Sequence, residues 1–124
     1  LERIRLPYGD AARNKLYSNY RIGAKNRKLK FSINKKYFTK LTSENCYYCG
    51  IKPEQICKNN GKKSSFHGNY KYNGLDRLDN KKGYTEMNCV ACCFRCNQMK
   101  LTLSKEDFLN QIKKIAKHLK LFKT

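Results

Sequence analysis

Cys46-Tyr47-Tyr48-Cys49-Gly50, answered about forty residues later by Cys93-Phe94-Arg95-Cys96-Asn97, is the pairing on which the reading of this chain turns. Two CxxC pairs at such a separation make a four-cysteine, tetrahedral site for a structural zinc ion. The first pair, Cys46 and Cys49, is unambiguous, and Gly50 is free to take the positive φ that a metal knuckle requires. The second has two registers, Cys89/Cys92 and Cys93/Cys96. The latter is preferred because it leads straight into a polar helix, as the first leads into Gly50. Cys57, Cys89 and Cys92 are then small hydrophobes or free thiols. Seven cysteines, an odd count in tight clusters, fit a reduced, intracellular compartment better than a secreted disulfide framework. A bound zinc would also help so small and basic a core to stay folded.

Downstream of the first knuckle, residues 51–69 are polar and rich in Gly, Ser and Lys, which predicts a long loop. Residues 70–78 read as a strand, 79–83 as a turn and 84–90 as a returning segment, before a helix that starts near Cys93 and carries Asn97 and Lys100. Ser104-Lys105-Glu106-Asp107 is a capping box. The stripe that follows (Phe108, Leu109, Ile112, Ile115, Ala116, Leu119) predicts a helix packed on the core with its lysines in solvent. Upstream, Asp10 is a candidate N-cap for a helix over about 10–25, built on Ala11, Ala12, Leu16, Tyr17, Tyr20 and Ala24. A short strand over 30–33 and a second helix over about 34–41, burying Tyr37, Phe38 and Leu41, complete the N-terminal part. The fold class is α+β.

Charge narrows the partner. Lys and Arg number 28 against nine Asp and Glu, a formal net charge of +19. That much self-repulsion opposes compaction, so a polyanion is the expected partner, nucleic acid before an anionic membrane surface. Arg21, Lys25, Arg27, Lys28 and Lys30 form a dense basic run before the knuckle, and with Lys100 they are the candidate phosphate contacts. With 40% hydrophobic and 30% charged residues, the chain is neither a disordered tail nor a membrane protein, and no apolar run approaches the ~20 residues of a span. The opening LERIRLPYGD lacks the apolar stretch of a secretion signal.

In order, CYYCG, NGLDRLDNKKGYTEMN and CFRCNQMK resemble the HNH endonucleases, the ββα-metal or His-Me finger family, from about Tyr17 to Phe108. The resemblance implies a single domain over 1–124: a basic helical part at 1–42, a zinc knuckle and ββα-metal core at 43–103, and a C-terminal helix at 104–124. Where the family carries an Asp-His pair on the first strand, a middle Asn, and a His or Asn on the helix, this chain has Asp76-Arg77, Asn88 and Asn97. By that resemblance Asp76 and Asn97 hold a catalytic Mg²⁺ or Mn²⁺, and Asn88 pins the loop through backbone hydrogen bonds. Hard oxygen donors suit such an ion.

Arg77 is the departure. Arginine offers no acceptor and keeps its proton above pH ~12, so it cannot take a proton from water, though it can clamp a phosphate. A variant of the family with Asp-Arg at this place, which the chain resembles, has a tyrosine of the knuckle turn beside the scissile phosphate. The matching residue is Tyr48, a candidate base or nucleophile provided that its pKa falls from the phenol value of ~10. His67, in the polar loop, ranks below it, and His118 lies on the exposed side of the last helix. Asp79 and Asn80 read as turn formers, and Tyr70, Tyr72 and Tyr84 as hairpin packing.

The expected function is a metal-dependent endonuclease hydrolysing phosphodiester bonds in double-stranded DNA, of restriction, homing or phage type, in a prokaryotic or viral cytoplasm. One active site nicks one strand, so a double-strand break calls for a homodimer. The alternative is a noncatalytic zinc-ribbon nucleic-acid binder in which Arg77 marks a decayed site. Retention of both Asp76 and Asn97 weighs against decay.

Overall fold

Aromatic residues at helical spacing fix the N-terminal half. Helix α1 (Asp10–Asn26) buries Ala11, Ala12, Leu16 and Ala24 on one face and sets Tyr17 and Tyr20 beside them. Its N-cap is Gly9 at φ 84°, not Asp10, which is the first helical residue and pairs loosely with Arg13. Helix α2 (Lys35–Thr42) is capped by the Asn34 side chain, which accepts from the Tyr37 N–H. Phe38 of α2 is fully buried, with the Tyr17 and Tyr20 rings edge-on at 5.2 and 5.6 Å. Truncating it to Ala would cost about 3–5 kcal/mol. The predicted strand over 30–33 reduces to a single bridge between Phe31 and Tyr84.

The computed structural model describes residues 6–58 and 67–122. Among these, four helices surround two small antiparallel sheets, an α+β architecture. Strand β1 (Gln55–Cys57) pairs with β2 (Tyr70–Tyr72), and β3 (Gly74–Arg77) pairs with β4 (Cys89–Cys92) in the register Gly74↔Cys92 to Arg77↔Cys89. Helices α3 (Phe94–Lys100) and α4 (Lys105–Leu119) follow. Two expectations are corrected here. The polar segment 51–69 contains β1, with residues 59–66 of it outside the described residues. The strand expected over 70–78 is broken at Asn73, which turns inward and donates from Nδ2 to the carbonyls of Glu44 and Ile51. The chain therefore leaves one sheet and enters the other. Gly74 is needed at that junction, because a Cβ there would sit 2.8 Å from the Tyr20 hydroxyl, which accepts from the Leu75 N–H.

Helix α4 also departs from its expected packing. Ser104 caps it, accepting from the Asp107 N–H, and Phe108 is buried against the Tyr48 ring. Beyond that first turn the apolar stripe faces solvent, with Ile112, Ile115 and Leu119 at 37, 46 and 60% exposure. The core made by α1, α2, β3 and β4 is closed without them. Among the described residues, no helix is long and apolar enough to cross a membrane.

Candidate active site and metal clamp

Four sulfurs converge where the knuckle meets the start of α3. The Sγ atoms of Cys46, Cys49, Cys93 and Cys96 all lie within 4.8 Å of one another, so the cluster can hold a metal ion. Cys49 and Cys93 are 3.7 Å apart, against about 3.8 Å for the edge of a tetrahedron with ~2.3 Å zinc–sulfur bonds. Gly50 stands at φ 79°, and the Gly50 N–H closes the knuckle on the Cys46 carbonyl. Burial works to raise the Cys46 thiol, but backbone hydrogen bonds from Cys49, Cys93 and Tyr48 outweigh it and bring the pKa down to about 6. Cys96 moves the other way, pushed up by burial and by its contacts with Cys93 and Cys49. Thiolates this close repel, and a cation is what lets all four deprotonate. Cys89 and Cys92 stay outside the cluster as buried thiols. Burial takes Cys89 up to about 12 and Cys92 higher still.

Beside the clamp, β3 carries Asp76 inward. Only 4% exposed, its carboxylate is engaged at both oxygens. Oδ2 accepts from the Tyr48 hydroxyl at 2.7 Å, and Oδ1 faces the Lys100 ammonium at 3.2 Å. Lys100 is wholly buried and donates also to the Arg77 carbonyl at 3.0 Å. Lys100 is thus corrected from a phosphate contact in solvent to a buried partner of Asp76. As the last residue of α3, four positions past Cys96, it shares the inward face of that helix. That spacing was the signal available in the sequence. Burial, then the hydrogen bond and charge of Asp76, push the Tyr48 pKa up rather than down. In this arrangement the phenol is a proton donor that steadies Asp76.

Arg77 points along the other side of the strand. Nη1 donates to the carbonyls of Asn80 and Lys82 at 2.7 and 2.9 Å, and the guanidinium lies over the Tyr84 ring at 5.3 Å. These bonds use two of its five donors. The turn it grips is organised by Asn88, which is buried in a 3-10 turn (Glu86–Asn88). Asn88 Oδ1 accepts from the Asp79 N–H, while Nδ2 donates to the carbonyls of Asp79 and Gly83. Asp79 closes the turn tip by accepting from the Lys81 N–H.

No family model matches the chain. It is similar to an uncharacterized protein of Acanthamoeba polyphaga mimivirus, 37% identical over 108 residues, which are 87% of this chain and 18% of that protein. The chain thus spans less than a fifth of its viral relative's length. Among solved structures it is similar to the rare-cutting HNH restriction endonuclease PacI, with a TM-score of 0.58 and 21% identity over 86% of this chain and 78% of that one. The fold is HNH-like.

Within that fold, Tyr48, Asp76 and Lys100 form one hydrogen-bonded corner, while Arg77 and Asn88 serve the neighbouring turn. Asn97 sits one turn into α3, half-buried, and its side chain has no hydrogen-bond partner among the described residues. Asp76 and Asn97 suit a hard cation by donor type, and Lys100 is the competing cation at Oδ1. His67 lies at the far end of α1, its ring edge-on to Tyr8 at 5.0 Å and its carbonyl accepting from the Gly9 N–H. Arg21, Lys25, Arg27, Lys28 and Lys30 are all exposed, and Arg27 also donates to the Tyr84 hydroxyl. An apolar groove of about 840 Å³ opens beside the clamp, walled by Tyr48, Phe94, Met99, Phe108 and Ile112.

Proposed function

We propose that this chain is a metal-dependent DNA endonuclease that hydrolyses phosphodiester bonds, with zinc in the four-cysteine clamp and Mg²⁺ or Mn²⁺ at Asp76 and Asn97. The observation that carries the reading is Asp76, a buried carboxylate at the end of β3 facing α3, beside the clamp of an HNH-like fold. The viral relative accords with a viral setting.

The chain's own residues divide the work. The clamp fixes Tyr48 and the start of α3 against β3, so the Asp76 carboxylate and the Asn97 amide are held before substrate arrives. Tyr48 orients Asp76 through Oδ2. Arg77, anchored by Nη1 to the turn, has remaining donors for a phosphate oxygen, where a fixed cation offsets developing charge. Arg21, Lys25, Arg27, Lys28 and Lys30 align the duplex through its backbone. A bound divalent ion would polarise the scissile phosphate and stabilise the leaving oxygen.

The test is nicking of a supercoiled plasmid by zinc-loaded protein with Mg²⁺ or Mn²⁺, beside Asp76→Ala. Nicks with 5′-phosphate and 3′-hydroxyl ends that vanish in the variant support the reading. Intact plasmid under every condition rejects it. The second reading, a noncatalytic nucleic-acid binder, is favoured by one observation, the lysine at Asp76 Oδ1. It expects binding without cleavage.

A further inference from the structure

We infer that Lys100 is a resident cation of the active site: it occupies Asp76 Oδ1 and sets how readily a divalent ion can use that carboxylate. The inference depends on the nuclease reading only for placing an ion at Asp76. A lysine that ends a helix ordinarily snorkels to water, where its head stays hydrated and its charge meets the helix C-terminus. Lys100 does the opposite. It is 0% exposed, with Nζ 3.2 Å from Asp76 Oδ1 and 3.0 Å from the Arg77 carbonyl. An ammonium withdrawn from water is costly unless paired, and this one has both an anion and a carbonyl to offset the loss.

The geometry makes competition unavoidable. A hard cation bonds a carboxylate oxygen at about 2.1 Å for Mg²⁺, slightly longer for larger ions. On Oδ1 it would stand within a few ångströms of the ammonium, and like charges so close in a buried site repel strongly. Oδ2 accepts from Tyr48 and keeps a second lone pair, but an ion there would still share one carboxylate with the ammonium. Either Lys100 withdraws or the ion binds weakly. The wild-type chain should therefore be a poor ion binder on its own. Removing the positive charge at position 100 should convert it into a good one, with the ion then serving as the counter-charge that Asp76 has lost.

The experiment is a Mn²⁺ titration of zinc-loaded protein without DNA, read by the electron paramagnetic resonance of free Mn²⁺ and by thermal melting. Lys100→Met and Lys100→Gln should bind Mn²⁺ about ten-fold or more tightly than the wild type, as loss of a close like charge demands. Their melting temperatures should rise with added Mn²⁺, while that of the wild type barely moves. Lys100→Arg keeps the charge and should keep the wild-type affinity, and Asp76→Asn combined with Lys100→Met should lose the gain. If Lys100→Met does not fold, Lys100→Gln, whose amide can still hydrogen-bond Asp76, carries the measurement. Neutral variants that bind Mn²⁺ no more tightly than the wild type overturn the inference, even if the protein nicks DNA. A gain in affinity beside a wild type that never nicks DNA would leave the inference standing and remove the nuclease reading.

Discussion

Tyr48 and Asp76 meet across 2.7 Å, and that hydrogen bond joins the metal knuckle to the strand that carries the candidate catalytic carboxylate. Because the phenol donates and its pKa is pushed up by burial and by Asp76, its role in this state is to orient rather than to accept a proton. Tyr48→Phe should keep the fold, lose about 1.5–3 kcal/mol for a hydrogen bond to a charged group, and slow single-turnover nicking about ten-fold. Urea unfolding and a plasmid time course measure the two effects. Abolished nicking with unchanged stability would instead put the hydroxyl in the chemistry.

The clamp ties the knuckle turn to the start of α3. Structural zinc contributes about 10–16 kcal/mol of apparent binding free energy in small zinc peptides, as much as the whole stability of a typical domain. One zinc per chain is expected by elemental analysis. Cys96→Ser, or prolonged chelation, should abolish the cooperative thermal transition. An unchanged melting curve in the metal-free protein would show that the sulfurs cluster without a structural ion.

Asn88 satisfies three backbone groups of the 79–83 turn from one side chain. Asn88→Ala leaves those groups short of partners at about 1–3 kcal/mol each when buried, partly relieved by water. A net loss of about 2–3 kcal/mol in urea unfolding is expected. Arg77, whose anchoring carbonyls belong to that turn, should lose its placement, so nicking should fall further than stability alone explains.

Exposed cations on and after α1 should act through counterion release. Combined substitution of Arg21, Lys25 and Lys30 by Ala should make the log–log salt dependence of DNA binding shallower by about 2.7, at ~0.9 per phosphate contact. Arg27 is left out because it also ties α1 to Tyr84. Fluorescence anisotropy across a salt series gives the slope, and an unchanged slope would move the DNA path elsewhere.

Much of this was legible in the residues. A tetrahedral ion imposes its spacing on sequence, so the CxxC pairs could be read directly, and the polar helix that follows Cys93/Cys96 favoured that pair over Cys89/Cys92. The Ser104 N-cap of α4 and the positive φ of Gly50 rest on equally local rules. Nonlocal features were hidden. β1 is three residues long and exists only through pairing with β2, so nothing in its polar surroundings announces it. The break at Asn73 depends on carbonyls of Glu44 and Ile51, distant in sequence. Lys100 reads as a phosphate contact, because its spacing from Cys96 hints at an inward face but does not name Asp76 as the partner there. The stripe on α4 shows the reverse failure, since periodicity reveals that a helix has an apolar side but not whether anything covers it.

That uncovered side gives the molecule two opposite responses to salt. Ions screen the repulsion among the many lysines and loosen any bound polyanion, yet strongly hydrated salts also drive bare aliphatic surface together. Ile112, Ile115 and Leu119 project from a rod anchored by a single turn. Conditions chosen to strip nucleic acid from the protein are thus those under which its own rods should begin to adhere, and purification has to steer between the two.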